Sequence, residues 1–462
     1  MQPTNTYPIL VSLLIIPVFL YILNQIRARG FSEGWWLPWM SVLLLFPCYV
    51  WSGWGSLRMD LRSAASLAVL TGFLIQPWSS GPRIRWIWGD AWIIILIASQ
   101  AITEFSQENL VPLTPLEQLR DFGLPYLVGR LCLRSPGDLQ RMLPAVCIPA
   151  AILSVYAIIE SITKINVVNL IIGKRWELLE TSEGFRWGLK RAQGNLNHPI
   201  YLGLMLTMLL PWLLEAYSQS KKNLGAYWWR FSPALAIVAI IGTVSRAAQL
   251  AAVLTLITAF IFRNPRWRGI LIGMVLVAGG TGYLFREDIL EALSKFVDEP
   301  DKSSDVIKHK GLEYPYSGTL HRDLLQMVYE DEVKNVPLLG YGSMLESMPV
   351  DNDRDERFKS IDDHYLVYLL RFGPVGVTIF LCFAVCIAIY LFREAWANDT
   401  PHAAFCGAML GSFVGTTMML KGVSLEPDYG WMWLFSAGIA GRLHAFRLEL
   451  HESKVRSDSP GA

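Results

Sequence analysis

Apolar stretches of membrane-spanning length recur along almost the whole chain, interrupted by short polar punctuations and by one long polar segment, residues 286–362. A helix needs roughly 17–25 mostly apolar residues to cross the hydrocarbon core. Within that core only helices and closed barrels satisfy every backbone N–H and C=O group. Repeated runs of this length therefore predict a bundle of transmembrane helices. Candidate spans lie near residues 7–26, 38–54, 64–78, 88–104, 117–133, 142–163, 198–214, 231–244, 247–262, 269–285, 374–392, 403–420 and 430–446. Several are short or contain proline, so the expected count is about twelve or thirteen. Composition agrees, with 53% hydrophobic and only 17% charged residues, against roughly 25% charged in soluble domains.

The expected fold is thus an all-α integral membrane protein of about 12–13 transmembrane helices, with one large external loop containing short helices. In order, the chain reads as N-terminal transmembrane helices (1–163), helices carrying two arginine motifs (164–285), the polar loop (286–362), C-terminal helices (363–446) and a tail (447–462). The first apolar run has no charged side chain from Met1 to Pro8 and no small-residue cleavage site after it. It reads as a first transmembrane helix rather than a signal peptide. Tryptophans of the N-terminal half, among them Trp35, Trp36, Trp39, Trp86 and Trp88, flank apolar runs and read as an interfacial belt.

A net charge of +1 without a long basic block gives no footprint for nucleic acid. The six cysteines lack metal-ligand spacing, and Cys382 and Cys386 read as small packing residues of one helix. Neither a metal nor another cofactor is expected. Basic residues of short loops set the orientation. Arg263, Arg266 and Arg268, then Lys221, Lys222 and Arg230, then Arg442, Arg447, Lys454 and Arg456 mark the cytoplasmic side. Counting spans from these anchors places 164–197, Arg246 and 286–362 on the opposite side, with 105–116.

Four polar fragments stand out. The first is RAQGNLNHPIYLG from Arg191, a polar entry to the next span. A helix N-terminus of this kind offers free N–H groups to anions, and the Arg191 fork matches phosphate oxygens. His198 also suits a simple helix cap. The second is TVSRAAQL, which puts Arg246 in the middle of an otherwise apolar stretch. Such an arginine must reach the interface, a partner or a ligand, and Gly242 and Thr243 before it predict a helix break lining a cavity. The third is HRDLLQMVYEDEVKNVPLLGYG, preceded by Leu320, which lies at helical spacing with Leu324, Leu325 and Val328. Ser317 and Thr319 are candidate N-caps, and Gly340-Tyr341-Gly342 reads as a turn. This loop helix, carrying Arg322, is expected to lie against the outer surface of the bundle like a lid. The fourth is DDHYLVYLLRFGPVG, from Asp362, running into the next apolar span.

Taken in this order, the fragments resemble the O-antigen ligase and polymerase superfamily of bacterial inner-membrane glycan transferases. The resemblance runs from about Arg191 to Gly376. It implies a glycan donor carried on undecaprenyl pyrophosphate, a glycan or lipid acceptor, and an active face toward the periplasm. By motif position Arg246 and Arg322 would hold the pyrophosphate, with Arg191 lining the same pocket, and a residue at the loop's end would act as base. Catalysis would be metal-independent, with arginines neutralising the departing diphosphate. The ligase branch reads His-Asn-x-Tyr-Leu with a glycine eleven residues after the histidine. Counted back from Gly373, that histidine position holds Asp362 here, and His364 stands two residues later. Either Asp362 or His364 is then the base, with Asp363 a third choice. The substitution favours polymerising or joining lipid-linked oligosaccharides for a surface polysaccharide over strict ligation to lipid A-core. A flippase of the same carrier is the alternative from another class. Such carriers place polar residues near mid-membrane in repeated, discontinuous helices, and no repeat is present in this sequence.

Overall fold

The computed structural model describes residues 8–31, 33–47, 49–54, 57–75, 85–107, 114–172, 185–186, 188–220, 229–269, 272–274, 306–309, 312–315, 320–342, 345, 348, 358, 361–397 and 402–458. Helices dominate. In chain order they are α1 (Pro8–Arg29), α2 (Trp36–Leu45), α3 (Leu61–Ile75), α4 (Trp88–Ser106), α5 (Thr114–Gln118) and, after a π-turn, α6 (Leu124–Leu131). Next come α7 (Asp138–Thr163), α8 (Val167–Ile172), α9 (Pro199–Ser220), α10 (Ser232–Gly242) and α11 (Arg246–Arg263). Two loop helices follow, α12 (Leu320–Val328) and α13 (Glu330–Lys334), then α14 (His364–Trp396), α15 (Ala403–Met419) and α16 (Pro427–Asp458). The only strands among the described residues form three two-stranded antiparallel hairpins in the polar connections.

Six of the described helices are long and apolar enough to cross a membrane, and α2, α3 and α10 are shorter apolar helices. The all-α membrane architecture is therefore as expected. Each predicted span overlaps a described helix except 269–285, most of which lies outside the described residues, but 38–54 and 117–133 are only partly helical or broken by a π-turn. Prolines 17, 144, 149 and 211 sit inside α1, α7 and α9, as membrane helices tolerate.

Between apolar helices in lipid, close packing rather than hydrophobicity drives association, so small residues mark the tightest seams. On α15, Gly407, Gly411 and Gly415 recur every fourth residue and face α11. A side chain at Gly411 would collide with Thr258, and one at Gly407 with Phe262. Gly411→Leu is expected to cost about 1–3 kcal/mol by overpacking. A lowered midpoint of thermal unfolding in detergent checks this, and a wild-type midpoint would show that the seam is loose.

The interfacial reading of the tryptophans needs correction. Trp35, Trp36 and Trp39 are buried in the core, while Trp86 and Trp88 are exposed. The buried ones keep their indole N–H groups satisfied where they reach a partner. Trp36 Nε1 donates to the Cys132 carbonyl at 3.2 Å and Trp39 Nε1 to Ser66 Oγ at 2.8 Å. A flanking position in sequence does not reveal which indoles point inward across a helix packed on two sides.

The bundle has two chemically different ends. Helix α11 runs from Arg246 at one end to Arg263 at the other, about 27 Å at 1.5 Å per residue. Near Arg263, Arg268 donates to the Trp396 carbonyl at 3.0 Å and Arg447 to the Arg393 carbonyl at 2.7 Å. This end is basic. The opposite end gathers the polar fragments.

Candidate active site

The site is built first by a helix that stops and restarts. Helix α10 ends at Gly242, and Val244 adopts φ +47°, a left-handed conformation that a β-branched residue rarely takes. Ser245 is extended, and its carbonyl accepts the first helical bond of α11 from Gln249 N–H at 3.0 Å. The chain thus begins a new helix at Arg246, whose side chain is exposed. The leading N–H groups of that helix have no intrahelical acceptor, so Arg246 and the helix terminus offer positive potential together.

The Arg191 segment is pinned to this break. Ala192 N–H donates to the Gly242 carbonyl at 3.0 Å. The anchor beneath it is Glu160 of α7, fully buried, whose carboxylate accepts from Gly194 N–H at 2.8 Å, Gln193 N–H at 3.2 Å and Asn166 Nδ2 at 2.9 Å. Lys190 Nζ stands 3.5 Å from the same carboxylate. Arg191 itself is buried. His198 Nδ1 accepts from Ile200 N–H at 3.2 Å, so this histidine caps its own helix. Sequence reading did not single out Glu160, although a carboxylate inside an apolar span is a signal in itself.

The same segment reaches the C-terminal helices. Asn197 N–H donates to Asp428 of α16 at 2.9 Å, and Tyr201 stacks on Tyr429 at 5.3 Å. The loop before α16 then meets the fourth fragment. Ser424 Oγ donates to the Ile361 carbonyl at 3.2 Å, and Leu425 N–H donates to His364 Nδ1 at 3.2 Å. Fragments one, two and four therefore converge at one end of the bundle, as the sequence predicted.

The fourth fragment departs from expectation in its path. It does not run straight into the next span. Gly373 has φ +65° and ψ −176° inside α14, and the chain folds sharply back there. A straight helix would hold His364 and Phe380 about 24 Å apart, yet their rings lie 5.1 Å apart. The arm 364–372 thus lies across the bundle end before Pro374–Trp396 descends. The tight approach of Leu338 and Gly340 to Gly373 leaves no room for a Cβ there, and that conformation suits glycine alone. Gly340 (φ +76°) answers it from the turn sequence reading placed at 340–342, and Tyr341 N–H donates to the Leu370 carbonyl at 2.7 Å.

The three candidate bases separate cleanly. Asp363 is buried, caps the arm by accepting from Leu366 N–H at 3.1 Å, and pairs with Lys421 at 2.6 Å. His364 is 5% exposed and walled by Tyr365, Tyr368 and Phe380. Its Nδ1 lone pair is engaged by Leu425 N–H, which leaves the proton on Nε2. Asp362 precedes the helix and is exposed. Asp363 is extended and the helix begins only at His364, so Asp362 lies outside it; burial distinguishes Asp362 from His364. The Asp362 charge reaches Tyr201 and Glu426, and Glu426 in turn is within electrostatic reach of Arg371. Glu426 and Arg371 were not singled out in the sequence.

The loop helix lies as a lid on this arm. Leu324, Leu325, Val328 and Tyr329 form one buried cluster with Leu366 and Leu370, as the helical spacing predicted. Arg322 falls in the first turn of α12; its side chain lies outside the described residues, as do Ser317 and Thr319. Geometry therefore joins Arg191, Arg246, Asp362 and His364 at one end, and for Arg322 it gives only the backbone position.

Residues 231–381 match the O-antigen ligase family, a stretch that includes Arg246, Arg322, Asp362, His364 and Arg371 but not Arg191. No curated protein matches the chain.

Proposed function

We propose, with the O-antigen ligase-like match as premise, that this protein is a bacterial inner-membrane glycan transferase using an undecaprenyl-pyrophosphate-linked oligosaccharide as donor. It joins or polymerises these units for a surface polysaccharide, on the periplasmic side. The observation that supports the reading is that the segments carrying a helix-break arginine, Arg246, and an exposed carboxylate, Asp362, are tied into one end of the bundle. The basic opposite end, with Arg263, Arg266, Arg393 and Arg447, supports the orientation by the positive-inside rule.

In the reaction we envisage, Asp362 takes the proton of an acceptor hydroxyl as that oxygen attacks the anomeric carbon. The new carbon–oxygen bond forms as the bond to the diphosphate oxygen breaks, and the lipid diphosphate leaves. Asp362 then passes its proton to water or to the departing phosphate. Arg246, with Arg191 and Arg322, neutralises the charge that grows on the leaving group, where positioned donors contribute most. His364 positions the arm by holding the Leu425 N–H and filling the aromatic wall. Ligation to lipid A-core differs only in the acceptor.

Positive charge comes from fixed guanidinium groups in this scheme, so chelation is expected to leave turnover unchanged. Transfer assayed with and without EDTA checks it. A loss reversed by added divalent cation would overturn the metal-independent mechanism.

A further inference from the structure

We propose that Arg371 is a further anion-binding residue of this site, contacting an oxygen of the donor's diphosphate. The inference rests on the donor-site reading above and adds a residue to it.

The backbone of Arg371 is fixed from two directions. Its carbonyl accepts from Gly342 N–H at 3.0 Å, and the Leu370 carbonyl before it accepts from Tyr341 N–H at 2.7 Å. The turn that makes these bonds is itself tied to α4, where Gln107 Nε2 donates to the Gly340 carbonyl at 2.8 Å. Two residues on, the chain reverses at Gly373. The backbone at Arg371 is thus held on both sides.

Its guanidinium, by contrast, is not fully satisfied by the described residues. Nε is out of contact with solvent and has no hydrogen-bond partner. Other arginines at this end that serve structure do so through close pairs. Arg62 lies 2.8 Å from Asp60, and Arg120 lies 2.7 Å from Asp121. Among the described residues Arg371 makes no such pair. The carboxylates whose charge reaches it are Glu426 and Glu104, and neither comes within the 4.0 Å of an ion pair. A buried guanidinium nitrogen left without a hydrogen-bond partner is costly. The cost is offset when an anion arrives, and the planar guanidinium offers a fork suited to phosphate oxygens.

Placement favours the donor's diphosphate as that anion. Glu426 feels both Arg371 and Asp362, so the cation and the proposed base share one electrostatic neighbourhood. A diphosphate held by Arg371 brings its anomeric carbon to the part of the site where the base resides. Arg371 is therefore a binding residue that also orients the leaving group.

Binding of geranylgeranyl diphosphate to the purified full-length protein in detergent tests this, with geranylgeranyl monophosphate as the comparison. Arg371→Gln is expected to weaken diphosphate binding at least about tenfold, the loss of one charge-assisted hydrogen bond, with an unchanged unfolding midpoint. The monophosphate is expected to lose less. Where Arg371→Gln does not fold, Arg371→Met keeps the packing of the stem and carries the same expectation. Wild-type affinity in whichever variant folds overturns the role of Arg371. Failure of the wild-type protein to bind the diphosphate overturns instead the donor-site reading on which it rests.

Discussion

Asp362→Asn is expected to lower turnover by about 10²- to 10⁴-fold, the range a general base contributes, while the protein still binds its lipid-linked donor. The amide keeps the shape of the side chain and removes only its basicity. Because Asp362 is exposed and precedes the helix, its replacement leaves the core untouched, so the unfolding midpoint should match wild type. The contrast with His364 sharpens the test. His364→Ala opens a cavity among Tyr365, Tyr368 and Phe380 and strands the Leu425 N–H. Its effect should fall chiefly on stability. Turnover per folded molecule that survives in His364→Ala but not in Asp362→Asn assigns the base to the carboxylate; the reverse pattern assigns it to the histidine.

Arg246→Ala is the second large effect. Removing one group that stabilises a leaving diphosphate should cost about 10²- to 10³-fold in turnover. Arg246 stands at the start of α11, exposed, with Ser245 and Val244 setting the break before it. The break is held by the Ala192–Gly242 bond and the packing of α11 on α15. Folded protein should therefore remain in the membrane. Arg246→Lys restores a charge without the fork and should recover only part of the activity. Full activity in Arg246→Ala would remove this residue from the donor site.

Much of this arrangement was legible in the chain, for reasons visible in particular residues. Membrane spans declare themselves by apolar length. Arg246 betrays the helix break because an arginine cannot sit unanswered in an apolar run. The lid face of Leu324, Leu325 and Val328 follows from helical spacing alone. What was not legible depends on partners distant in sequence. Nothing in RFGPVG announces that the chain reverses at Gly373, because the reversal needs Gly340 from the preceding loop pressed against it. Glu160 acquires its role only when the 190–194 segment folds over it. His364 is buried and its Nδ1 engaged only when the loop of Leu425, sixty-one residues away, packs on it, while Asp362 stays exposed. The inward-facing Trp35 and Trp39 likewise needed the helices to be packed before their direction could be known.

The most direct test is transfer by the purified protein in detergent, given an undecaprenyl-pyrophosphate oligosaccharide from its native host. The wild-type chain is expected to give elongated lipid-linked product, with product lost in both Asp362→Asn and Arg246→Ala and binding of donor retained in the former. Donor binding without turnover, whatever acceptor is supplied, would contradict this expectation and point to a protein that moves the carrier without chemistry.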